Sequence, residues 1–150
     1  MTRFWRNWMT AWGWGVGAFG LLLTGGAFEA TDGPTRAIYA VVGATELTME
    51  PAFRFSVALL GAVTLGMALA VLAAARAAER LGPEGRPIWA RLTGAMAVWY
   101  VVDSGLSVAT GFPLNAVSNT LILVGFLAPV LGSGVLGSPA SARLGAPSRA

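Results

Sequence analysis

Apolar and polar residues in this chain are sorted into long blocks. Four apolar stretches, about residues 8–28, 53–75, 88–110 and 114–136, are separated by short charged or Gly/Pro-containing breaks. Each stretch has the ~20 residues that a helix needs to cross ~30 Å of hydrocarbon. Inside a bilayer, every backbone N–H and C=O must find its partner within such a helix. The pattern therefore predicts an all-α polytopic membrane protein with four transmembrane helices in an antiparallel bundle. Residues 1–137 make up this single domain. Residues 138–150 are rich in Gly, Ser, Ala, Pro and Arg, and predict a disordered cytoplasmic tail.

The finer pattern predicts how the helices meet. Trp5, Trp8 and Trp12 recur at helical spacing, which places them on one face at the membrane interface, where indole is both apolar and a donor. Gly13, Gly17, Gly20 and Thr24 follow as a small-residue stripe that lets a second helix approach closely. In the second stretch Ala58, Ala62, Gly66, Ala70, Ala74 and Ala78 come at intervals of four, a further packing face. That helix is expected to run on to Arg80, with residues 81–87 breaking it. The external connection, about residues 29–51, holds the apolar run 38–42. This run is too short to cross a membrane and is expected to be a short extra element, a helix in preference to a strand, with Asp32 as its cap and Pro34 near its first turn. The link Gly111-Phe112-Pro113 forces the last two helices into a hairpin.

Charge sets the orientation. Arg3, Arg6, Arg76, Arg80, Arg86, Arg91, Arg143 and Arg149 fall on one side, and only Arg36 and Arg54 on the other. This is the positive-inside distribution, which puts both termini in the cytoplasm. The net charge of +3 thus reads as topology and lipid attraction, and no nucleic-acid partner is expected. No A-x-A site lies near Phe28, so the first span is expected to stay uncleaved.

Composition also narrows the chemistry. Charged residues make up 11% of the chain, and it contains no His, Cys or Lys. The usual ligands of zinc, haem and iron–sulfur clusters are missing, as are a thiol, an imidazole base and a Schiff-base amine. No cofactor or metal is expected.

Asp103 is the one acid well inside a predicted span. A charge there costs ~2.5–3.5 kcal/mol on insertion scales and needs partners. Tyr100, Asp103, Ser107 and Thr110 share one helix face; the hairpin brings Asn115 level with Thr110 and Ser118 level with Ser107, and leaves Asn119 the polar residue nearest Asp103. Together with Arg54, Tyr100, Asp103, Ser107, Asn115 and Asn119 form a candidate polar pocket opening outward. The packing candidates are Gly13, Gly17, Ala58, Ala62, Gly66 and Ala70.

The run Phe53-Arg54-Phe55 leading into Gly61 and Gly66, with Trp99-Tyr100, Asp103 and Asn115/Asn119, resembles small four-helix bacterial inner-membrane proteins of the DoxX-like neighbourhood. The resemblance implies an architecture and a multi-pass place in the inner membrane, and it implies no reaction. Three roles fit the sequence. The first is an accessory subunit that packs through small-residue faces, as a homo-oligomer or within a larger membrane complex. The second is a carrier of a small lipophilic or cationic ligand at Asp103. The third is an intramembrane enzyme, such as an isomerase, using Asp103 with Tyr100.

Overall fold

A computed structural model describes residues 1–44 and 46–137. The expected tail, 138–150, lies outside the described residues. Among the described residues all regular structure is helical. Four long helices, α1 (Arg3–Thr24), α3 (Pro51–Arg80), α4 (Arg86–Ala109) and α5 (Pro113–Gly132), are joined by 3-10 turns, loops and the short α2 (Gly33–Val41). α2 is the helix expected in the first connection, and α3 reaches Arg80 as its unbroken apolar sequence predicts. Asp32 stands at the cap position of α2, but its side chain caps nothing there; the two arginines described below hold it instead.

The long helices pack in the cyclic order α1, α3, α4, α5 and back to α1, each antiparallel to its neighbours. Turn chemistry produces the reversals. Gly82 (φ 57°) and Gly111 (φ 89°) take left-handed conformations that stop α3 and α4, and a proline stands in the first turn of the helix that follows each.

α1 and α3 approach most closely where Gly20 faces Gly61. A Cβ on Gly20 would lie 2.7 Å from the Gly61 carbonyl oxygen, and one on Gly61 would lie 2.5 Å from the Gly20 carbonyl oxygen. Gly13 takes the Leu72 side chain, and Gly17 meets Leu65 and Ala68. The α1 stripe is thus a seat for α3.

The period-four stripe of α3 behaves differently. At 3.6 residues per turn, each step of four drifts by about 40° around the helix. The stripe starts half-buried at Ala58, turns outward at Ala62, Gly66 and Ala70, and returns to the core at Ala78. Gly61, Leu65, Ala68 and Leu72 carry the contact with α1 instead.

The core lies toward the arginine-rich end of the bundle. Met9, Val71, Ala75, Ala78, Trp89, Met96, Phe126 and Val130 draw all four long helices together. The outside is apolar too. Trp14, Phe19 and Leu21 on α1, Leu59 and Val63 on α3, Val98, Val101 and Leu106 on α4, and Leu121 and Val124 on α5 are all exposed. Apolar exposure on every long helix is the surface expected of a protein solvated by lipid. Three of the helices are long and apolar enough to cross a membrane: α3, α4 with the turn before it, and α5, with mean hydropathies of 2.4, 1.3 and 1.8. α1 is not among them, since its first turns carry Arg3, Arg6 and Asn7, and its Trp and Gly residues are only weakly hydropathic.

Candidate functional site

Two polar clusters occupy the end of the bundle opposite the core, and the antiparallel topology separates them. The first joins α4 to α5. Asp103 Oδ1 accepts hydrogen bonds from Asn119 Nδ2 at 2.7 Å and from Asn115 Nδ2 at 3.0 Å. The Ser107 hydroxyl donates to the Asp103 backbone carbonyl at 2.7 Å and lies 3.3 Å from the same Oδ1. Asn115 Nδ2 also donates to Ser107 Oγ at 2.8 Å. Ser107 and Asn119 are buried, while Asp103 and Asn115 are half-buried. The cluster follows from spacing: Asp103 and Ser107 lie one turn apart on α4, and Asn115 and Asn119 lie one turn apart on α5. Asn115 sits opposite Ser107, about one turn deeper than the Thr110 pairing that the hairpin suggests.

Two expected members fall outside this cluster. The Tyr100 hydroxyl is 3.1 Å from Thr120 Oγ1 and pairs with it, one turn further into the bundle. Arg54 belongs to the other cluster. The start of α3 packs on the turn that follows α1, where Arg54 reaches Gly26, whereas Asp103 on α4 bonds to α5 and not to α3. Ser104 and Thr120 are additions that spacing alone does not single out, because both are small polar residues on faces shared with many others.

The second cluster ties the first connection together. Arg54 Nη2 lies 2.8 Å from Asp32 Oδ2, and Arg36 Nε lies 3.0 Å from Asp32 Oδ1. The Arg54 contact is Coulombic, since Oδ2 accepts no well-aligned hydrogen bond. Arg54 also donates to the carbonyls of Met49 at 3.0 Å and Gly26 at 3.2 Å. Thr35 is fully buried and donates to the Leu22 carbonyl at the end of α1. The hydrogen bond from Arg36, with Arg54 alongside, holds the Asp32 carboxyl below its ordinary value of 3.8, against the opposing effect of burial. Asp32 and Arg36 stand four residues apart, which is the signal that spacing offered; the long-range partner Arg54 left none.

The tryptophans form a third arrangement. Trp5 and Trp12, seven residues apart on α1, seat their rings over Gly132 and Gly125, seven residues apart on the antiparallel α5. The Trp12 ring packs on Phe126 with centroids 5.5 Å apart. Trp8 Nε1 donates to the Gly125 carbonyl and Trp12 Nε1 to the Ile122 carbonyl, each at 2.9 Å. Pro129 explains the first of these, because it has no N–H to offer the carbonyl four residues before it. The face expected at the membrane interface is therefore turned largely onto α5, with Trp8 half in contact and half exposed.

Searches of protein-family models, curated proteins and solved structures return no match to this chain.

Proposed function

We propose that this chain is a four-span bacterial inner-membrane protein that serves as an accessory subunit and docks another transmembrane helix on α3. Support for a crossing by α1 comes from its 22 residues, about 33 Å of helix, running antiparallel to α3. No charged residue falls between Arg6 and Glu29, and its outer face is apolar. With four crossings, both termini and the loop between α3 and α4 lie on the cytoplasmic, arginine-rich side. Kinship with DoxX-like proteins belongs to the same proposal.

One observation carries the docking role. Ala62, Gly66 and Ala70 stand exposed in a row on α3, and nothing lies within 4 Å of a Cβ placed on Gly66. Such a groove admits a second backbone, whether from another copy of this chain or from another membrane subunit.

The Asp103 cluster fits a register lock between α4 and α5. Two amides converge on one carboxylate oxygen, and Tyr100, the partner an isomerase would need, bonds elsewhere.

The test is the assembly state in mild detergent, read by native mass spectrometry. The wild type is expected to run as an oligomer or a defined complex, and Gly66→Leu as a monomer that stays folded and helical. Gly94→Leu, on an exposed and open position of α4, serves as the control. A wild type that is monomeric in mild detergent would remove the docking role.

A further inference from the structure

A cavity of about 470 Å³ opens between the first turns of α1 and the last turns of α3, at the arginine-rich end. Its volume lies within the ~300–1,000 Å³ typical of small-molecule sites. Leu72 and Ala75 form its apolar part, and Arg6, Arg76, Arg80 and Glu79 its polar part. Neither cluster described above contributes to it.

The charges in this cavity are unspent. Among the described residues, the ion pairs are those of Asp32 with Arg36 and Arg54, so Arg6, Arg76 and Arg80 have no carboxylate within 4 Å. Glu79 lines the cavity. Among the described residues no arginine lies within 4 Å of its carboxylate, and its Oε1, itself closed to solvent, has no hydrogen-bond partner. A carboxylate left without a partner calls for a cation. Three free guanidiniums beside it call for an oxyanion, and Arg is the side chain best suited to phosphate. A ligand satisfying both halves carries a phosphate and an N–H cation a short distance apart.

We infer that this cavity binds the phosphoethanolamine headgroup of a cytoplasmic-leaflet phospholipid, with phosphate on Arg6, Arg76 and Arg80 and the ammonium on Glu79. The inference rests on the proposed membrane placement, which sets the cavity at headgroup depth with Leu72 and Ala75 leading toward the acyl region. Glu79 supplies the selectivity. A choline headgroup has no N–H to give the Glu79 carboxylate, and a glycerol headgroup brings no cation.

The test is native mass spectrometry of the full chain in detergent, with equal amounts of phosphatidylethanolamine, phosphatidylcholine and phosphatidylglycerol of matched acyl chains. Phosphatidylethanolamine should be retained roughly tenfold over the other two, the scale of one charge-assisted hydrogen bond. Glu79→Gln should erase that preference, and Arg76→Gln and Arg80→Gln should each weaken retention of the preferred lipid. Equal retention of the three lipids by the wild type, or an undiminished preference in Glu79→Gln, overturns the inference. Excess glycerophosphoethanolamine should leave the lipid bound. If the free compound binds tightly and expels the lipid, the lipid assignment falls. This readout does not depend on topology, so a failed crossing by α1 and a failed headgroup site are told apart.

Discussion

The indole of Trp8 donates to the carbonyl of Gly125, the acceptor that Pro129 leaves without a helical partner one turn later in α5. A proline inside a membrane helix exposes a backbone oxygen that lipid cannot satisfy. Here a side chain from the first helix satisfies it, and the bond also fixes the α1–α5 register. Trp8→Phe keeps a ring and loses the donor, and should cost about 1–2 kcal/mol. In a Pro129→Ala background the helix supplies its own N–H, so the same substitution should cost much less. A double-mutant cycle on unfolding in detergent measures the difference.

The close crossing of Gly20 and Gly61 predicts a sharp contrast along α3. Gly61→Ala forces the two backbones apart and should cost about 1–3 kcal/mol, as overpacked contacts do. Gly66→Ala adds a methyl to space that is open within the single chain and should change the stability of the monomer by less than about 0.5 kcal/mol. Thermal unfolding of the two variants in a detergent that disperses the protein to monomers decides this.

At Asp103 the acceptor matters more than the charge in this account. Asp103→Asn keeps an oxygen for Asn115 and Asn119, and should unfold close to wild type. Asp103→Leu leaves both amides without their acceptor and should lose about 1–2 kcal/mol, near the upper end for buried polar contacts between membrane helices. A ligand site would instead show lost binding in Asp103→Asn at unchanged stability.

Acid should loosen the Asp32 end of the bundle first. Arg36 and Arg54 hold the folded Asp32 carboxyl below its ordinary value of 3.8. The folded form therefore takes up its proton at lower pH than the unfolded form. The stabilisation is complete above that ordinary value and is lost as pH falls through the depressed one. Unfolding midpoints in detergent should drop over that acid range in the wild type, and Asp32→Asn should flatten that limb.

The sequence made the helices legible because lipid demands long apolar runs, and it made α2 and both reversals legible because Gly and Pro mark them. The pairing of Asp103 with Asn119 was also legible, since a three-residue link leaves few alternatives. Depth along the bundle puts Arg54 level with Asp103, but it does not show that Asp103 turns toward α5 while Arg54 turns toward the end of α1. The tryptophan face reads as an interface belt in the sequence because the holes that receive it, Gly125 and Gly132, lie more than a hundred residues away. The outward turn of Ala62, Gly66 and Ala70 follows from a period of four on a helix of 3.6, and only the position of α1 shows where that drift leaves the contact.

The proposed four-span topology requires α1 to cross the membrane together with the three more hydropathic helices. The chain has no cysteine, so single introduced thiols report without background. Labelling of intact cells with a membrane-impermeant maleimide should mark Ala30→Cys at once. Arg3→Cys and Glu84→Cys should label only after permeabilisation. If Arg3→Cys and Ala30→Cys label together from the same side, α1 does not cross and the four-span account is wrong.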